Sequence, residues 1–170
     1  SLVGSEMCIR DRFLGDKTLH DLYFDFHDYR LIRADNRLRR RNNGWELKLG
    51  GGSGVAQEIE TEAEIQAYFG IAVSIDEFAK ENLIEAVNFT NQRKKYSKNG
   101  FAIDVDSMDF GYKLVEIELL VESPGDVAQA EQKILDFVRQ FGIEHKEMPA
   151  KREEYFRIKK PEVYELLYKQ

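Results

Sequence analysis

Cysteine is almost absent: Cys8 stands alone, which excludes an internal disulfide and fits a reducing, intracellular setting. The three histidines, His20, His27 and His145, are scattered without the spacing of zinc ligands, so they read as ordinary surface or core residues. No apolar run approaches the roughly 20 residues of a membrane span, and no apolar signal segment opens the chain. Positive charge is not in excess either. With 31 acidic against 25 basic residues the formal net charge is -6, which argues against general binding to nucleic acid or to an anionic membrane. Any basic site must therefore be local, and the expectation is a cytoplasmic monomer with neither nucleic-acid nor membrane partners.

What remains is enough for one domain with a real core: 170 residues, 42% hydrophobic and 33% charged. No internal repeat or low-complexity linker divides it. The opening SLVGSEMCIRDR resembles a translated adaptor or assembly artefact that recurs in transcript-derived sequences. Residues 1–12 are therefore set aside, and a single domain is expected over residues 13–170.

From Lys17 the periodicity is that of short strands and turns, with helices inserted later. KTLHDLYFDF alternates and is aromatic, hence a strand; NRLRRR and WELKLG are two more, joined at Asn42-Asn43-Gly44 by a tight turn; GVAQEIET follows. TEAEIQAYFG switches to helical spacing and stops at Gly70, and SIDEFAKENL opens with Ser74 and Glu77 in a capping-box pattern. EAVNFTNQRKKY is a long strand. DVAQAEQKILDFVRQFG repeats apolar residues at helical spacing up to Gly142, and the tail PAKREEYFRIKKPEVYELLYK reads as two short helices broken at Pro161. GGGSG at Gly50 to Gly54 lacks the Lys-Ser/Thr and the strand-to-helix context of a phosphate loop, and reads as a flexible hairpin loop.

Two charge patterns stand out. In FAIDVDSMDFGYKLVEIELLVES, Asp104 with Asp106 and Glu116 with Glu118 lie two residues apart on either side of a turn around Asp109-Phe110-Gly111. Side chains at i and i+2 share one face of a strand, so each pair shares a face, while Val115, Ile117, Leu119 and Val121 form the opposite, apolar one. Like charges about 4 Å apart repel by roughly 1 kcal/mol in water and roughly 4 kcal/mol near a protein surface. The face is thus either well solvated or a site for a hard divalent cation. The basic counterpart is NRLRRRNNGWELK, where Arg37, Arg39 and Arg41 share one strand face and Glu46 and Lys48 another, with Arg93 and Lys95 repeating the spacing on the long strand. Forked guanidinium donors match phosphate oxygens, although such a row also suits a solvated, ion-paired face. Acidic and basic faces in one small domain are what binding of a metal-complexed polyphosphate requires.

Together, DLYFD, ADNRLRRRNNGWELK, IDVDSMDFGYKLVEIELLV and PAKREEYF with PEVYELL make the chain resemble the thiamine triphosphatase-like members of the CYTH group of triphosphate tunnel metalloenzymes. The resemblance extends over nearly all of residues 17–168. It implies an α+β fold: a closed antiparallel β-barrel of about eight strands, with charged faces lining a tunnel, apolar faces covered by flanking helices and, here, the first strand missing. It implies that Arg39, Arg41, Lys48, Arg93 and Lys151 hold the triphosphate, with Lys48, Arg93 and Lys151 in the catalytic set. Glu58, Asp104, Asp106, Glu116 and Glu118 would hold or orient Mg2+, with Glu60 a weaker candidate. The implied reaction is magnesium-dependent hydrolysis of the terminal phosphate of thiamine triphosphate, giving thiamine diphosphate and phosphate. A cyclase acting on ATP is also known in the superfamily, but nothing in this sequence reads adenine.

Two departures qualify the implication. The family's first strand carries a Glu-x-Glu-x-Lys motif with metal ligands and a phosphate-binding lysine; SEMCIRDR holds none, so weak or absent turnover is expected of the chain as written. Arg37 stands where animal thiamine triphosphatases place a tryptophan against the thiamine ring. A cation there repels the thiazolium and can grip phosphate instead, which makes inorganic triphosphate a rival substrate and a non-catalytic polyphosphate-binding module a further alternative.

Overall fold

The computed structural model describes residues 12–50, 56–121, 124–142 and 148–169. It contains strands β1 (Arg12–Asp25), β2 (Arg37–Arg41), β3 (Gly44–Gly50), β4 (Ala56–Ile59), β5 (Ile84–Lys98), β6 (Phe101–Met108) and β7 (Lys113–Glu118). The helices are α1 (Arg30–Arg33), α2 (Glu62–Phe69), α3 (Ile75–Asn82), α4 (Val127–Arg139), α5 (Lys151–Lys159) and α6 (Pro161–Tyr168). The strands form a seven-stranded sheet in the order β4-β3-β2-β1-β5-β6-β7, one strand fewer among the described residues than the expected eight or so. The pairings β1–β2, β2–β3, β3–β4, β5–β6 and β6–β7 are all antiparallel. Strand β1 begins at Arg12 rather than near Lys17, inside the stretch set aside as a leader; the rest of that leader, the Glu-x-Glu-x-Lys question, His145 and most of GGGSG lie outside the described residues.

The chain forms two compact units, the first from Ser1–Thr18 and Asn91–Ala150, the second from Leu19–Thr90 and Lys151–Gln170. In the second, the alternation of β2 and β3 sends Leu38 and Leu47, both fully buried, to one face, where they pack with Leu31, Ile65 and Ile75. Trp45, Ile59, Phe69 and Leu83 complete that core. Helices α2 and α3 supply Ile65 and Ile75 and start as the sequence specifies: Thr61 Oγ1 accepts from Glu64 N at 3.4 Å and Ser74 Oγ from Glu77 N at 3.2 Å. The β2–β3 loop is Asn42-Asn43, with Gly44 already paired to Arg41; it is Asn42 that takes the left-handed conformation, at φ 52°. Asn42 N donates to His20 O at 2.8 Å and its Oδ1 accepts from His20 N at 3.0 Å, which ties the turn to β1. Helix α1, which the sequence pattern did not announce, is held by the buried Asp25 carboxylate, which accepts from Phe26 N, Leu31 N and Ile32 N at 2.7, 3.0 and 2.9 Å.

In the first unit the core joins Tyr96, Phe101 and Ile103 of the sheet to Phe137 and Val138 of α4, with the Phe101 and Phe137 rings stacked at 4.2 Å. The β5–β6 hairpin turns on Asn99-Gly100, both at positive φ (51° and 86°), the conformation that matches the twist of a two-residue hairpin. The apolar face expected of β7 is only half realised. Ile117 and Leu119 pack on the core, but Val115 and Val121 are 38% and 40% exposed; among the described residues β7 ends the strand order and stops at Glu118.

Candidate functional site: two charged sheet faces

In the second unit, register decides which charges meet. Asp21 and Tyr23 of β1 lie opposite Arg41 and Arg39 of β2; Arg37 and Arg39 lie opposite Lys48 and Glu46 of β3; Lys48 lies opposite Glu58 of β4. Since directly paired residues share a sheet face, all of these side chains emerge on the side away from Leu38 and Leu47. Arg41 makes a two-point contact with the fully buried Asp21, Nε to Oδ1 at 2.6 Å and Nη2 to Oδ2 at 2.9 Å. Arg39 donates through Nε to Glu46 Oε2 at 2.7 Å and through Nη1 to the Tyr23 hydroxyl at 3.4 Å. Burial works against the charge on Arg39, but Tyr23 and Glu46 outweigh it and hold the guanidinium pKa above its ordinary value. Lys48 Nζ pairs with the Glu58 carboxylate, and the hydrogen bond from Lys48, opposed by desolvation, keeps Glu58 below the ordinary glutamate value. Arg37 donates through Nη2 to the Gly50 carbonyl at 2.5 Å, while its Nε is buried without a hydrogen-bond partner.

Lys151, predicted as a phosphate ligand, opens α5. Its neighbour Arg152 is buried and donates from Nη1 to Asn36 O at 3.3 Å, tying the start of that helix to the segment before β2.

In the first unit the predicted carboxylates divide. On β5 and β6, Arg93 lies opposite Asp106 and Lys95 opposite Asp104; on β6 and β7, Asp104 lies opposite Glu116. The Arg93 guanidinium sits among three of the carboxylates. Its Nε and Nη2 reach Asp106 at 2.7 Å each, Nη1 reaches Asp104 Oδ2 at 2.5 Å and Nη2 reaches Glu116 Oε2 at 2.8 Å. Asp104 and Asp106 are 4% and 1% exposed. Burial disfavours the cation, and the hydrogen bond and charge of Asp106, then the charges of Asp104 and Glu116, more than offset this and raise the Arg93 pKa. Asp104 Oδ1 is buried without a hydrogen-bond partner, with Lys95 Nζ 3.9 Å away. Glu118, opposite Ala102 at the end of β7, is exposed and does not join the group. Glu60 is exposed and lies beyond the end of β4.

An all-oxygen donor set with one orphaned buried oxygen has the chemistry for a hard cation. Its geometry does not: a guanidinium occupies the centre, and among the described residues no three His, Cys, Asp or Glu side chains are disposed to hold a metal. As arranged, Asp104, Asp106 and Glu116 are a counter-ion cage for Arg93.

Residues 8–161 match the family described as the CYTH domain. The chain belongs to the CYTH domain family. It is 29% identical to human thiamine-triphosphatase over 88% of this chain and 76% of that protein, and 28% identical to the Macaca fascicularis thiamine-triphosphatase over the same shares. Among solved structures it resembles the PH1819 protein of Pyrococcus horikoshii OT3 (TM-score 0.62, 18% identity, 99% of this chain and 93% of that one). It also resembles the Hippeastrum protein HpAC1, described as a putative adenylyl cyclase with a dominant triphosphatase activity (TM-score 0.55, 18% identity, 86% and 84%). At such identities the structural matches speak for the CYTH fold alone. Sequence reasoning missed Asp21, Tyr23 and Glu46 as partners of the arginines; the alternation in DLYFD, which puts Asp21 and Tyr23 on one face, was the available signal.

Proposed function

We propose that this CYTH protein is a triphosphate hydrolase that cleaves the terminal phosphoanhydride of thiamine triphosphate or of inorganic triphosphate, the substrate arriving complexed with magnesium. The observation that carries the proposal is the single face of the second unit on which Arg37, Arg39, Arg41 and Lys48 stand together, with Asp21 and Glu46 fixing the orientation of Arg41 and Arg39. Guanidinium forks held in place before binding lose little freedom when they take phosphate oxygens. The kinship to proteins named thiamine-triphosphatase supports the same reading.

In this reading Arg39, Arg41 and Lys48 bind and orient the triphosphate, and with Lys151 they neutralise the charge that develops on its oxygens in the transition state. Magnesium, when bound, supplies charge neutralisation on the phosphates and an activated water. The closed barrel of the family, a cytoplasmic location and a monomeric state belong to the same proposal. Arg37 favours the inorganic substrate as the second reading, because a cation with a buried, unpartnered Nε repels a thiazolium and has donor capacity left for phosphate.

The test is phosphate release by the purified chain from tripolyphosphate and from thiamine triphosphate with magnesium. Turnover is expected from at least one of them, reduced at least tenfold by Arg41→Gln. Tight binding of tripolyphosphate with no release would make the protein a polyphosphate-binding module; neither binding nor release would overturn the proposal.

A further inference from the structure

Asn36, the residue before β2, has each of its four polar atoms engaged by a different element of the second unit. Its N–H donates to Leu31 O of α1 at 2.7 Å, and its carbonyl accepts from Arg152 Nη1 of α5 at 3.3 Å. In the side chain, Oδ1 accepts from Gly50 N at the end of β3 at 3.3 Å and Nδ2 donates to the Tyr68 hydroxyl of α2 at 3.0 Å. An amide side chain offers an acceptor and a donor in one short planar group, which is what these two contacts require.

Gly50 is gripped twice by adjacent residues. Asn36 holds its N–H, and its carbonyl accepts from Arg37 Nη2 at 2.5 Å. The glycine sits at φ 69°, a left-handed conformation that a residue with a Cβ adopts only under strain. Arg37 stands on the charged face, in the row with Arg39 and Arg41, while the Asn36 amide reaches Tyr68 of α2. The link from Asn36 to the charged face therefore runs through the backbone of Gly50.

We infer that Asn36 is a positioning residue for the phosphate-binding face: by holding the Gly50 N–H it fixes the carbonyl that orients the Arg37 guanidinium. The Gly50 carbonyl takes one of the five N–H donors of the guanidinium and sets the direction of the fork before a ligand arrives. A side chain ordered in advance gives up less freedom on binding. The role rests on the triphosphate reading, since an anionic ligand is what Arg37 would be held ready for.

The experiment is calorimetric titration of magnesium tripolyphosphate into the full chain, Asn36→Leu, Arg37→Gln and the double variant. Leucine keeps the approximate volume of asparagine and removes both side-chain hydrogen bonds. Asn36→Leu should raise the dissociation constant about fivefold when Arg37 is present and less than about twofold when it is Gln, because effects routed through one contact are not additive. A merely structural role would weaken binding by the same factor in both backgrounds. Gly50→Ala is the second variant, for the case in which Asn36→Leu does not fold. It leaves the side chains of Asn36 and Arg37 in place, drives residue 50 out of its left-handed conformation, and should show the same dependence on Arg37. Equal weakening in the two backgrounds, or full-strength binding by Asn36→Leu and Gly50→Ala, would overturn the inference and leave the triphosphate reading in place. No binding by the natural protein is the failure of that reading, and the inference falls with it.

Discussion

Asp21 and Arg41 face each other across β1 and β2 in a two-point contact, 2.6 Å from Nε to Oδ1 and 2.9 Å from Nη2 to Oδ2, with the carboxylate fully buried. The pair fixes the direction in which Arg41 can present its remaining N–H donors. Removing one partner of a buried pair strands the other charge, at a cost of about 3 kcal/mol or more. Asp21→Asn keeps the volume and should lower unfolding stability by about that amount in a urea titration, and also weaken tripolyphosphate binding. Unchanged stability would mean that the contact is dispensable.

Arg39 is held by Glu46 and Tyr23, and its value to the site is the planar fork. Arg39→Lys keeps the charge and loses the fork, and hydrogen bonds to charged groups contribute about 1.5–3 kcal/mol. The dissociation constant for tripolyphosphate, measured by calorimetry, should therefore rise about tenfold or more. A lysine variant that binds equally well would reduce the site to bulk positive charge.

Arg37 decides between substrates. Arg37→Trp removes a like charge near a thiazolium and supplies a ring face, a cation–π contact of about 0.5–2 kcal/mol. The ratio of kcat/KM for thiamine triphosphate to that for inorganic triphosphate should rise by about tenfold. A ratio that does not move would take Arg37 out of the specificity argument.

Glu58 gives a pH signature. Its folded pKa is depressed by Lys48, so its contribution to stability is complete above the ordinary glutamate pKa and is lost as pH falls through the depressed value. Lys48→Met removes the depression. The stability gap between the natural protein and Lys48→Met should accordingly be present at neutral pH and narrow on acidification below the ordinary glutamate range. A gap of constant size through that window would show that the pair contributes nothing pH-dependent.

Much of this architecture was legible before any coordinates, and for identifiable reasons. Period-two alternation in NRLRRR and WELKLG fixed which side chains share a face, and β2 and β3 form as read. Local hydrogen-bonding chemistry at Ser74 and the ring of Pro161 marked helix boundaries that appear where expected. Partnership was not legible, because alternation says which face a residue is on and not what lies across from it. The family resemblance grouped Arg93 with the phosphate-binding cations; what only register adds is that it lies opposite Asp106 and inside a carboxylate cage. Asp21 sat unremarked in an aromatic strand until its pairing with Arg41 gave it a role. Exposure was not legible either: Val115 and Val121 are partly exposed, and periodicity does not say whether anything covers the apolar face of a strand.

The most direct test of the central claim is calorimetric titration of magnesium tripolyphosphate into the full chain and into the Arg39→Gln, Arg41→Gln and Lys48→Gln variants, each shown to be folded by circular dichroism. Saturable binding near one equivalent, weakened at least tenfold by each substitution, is the predicted result. No binding, or binding that all three variants retain at full strength, would contradict it.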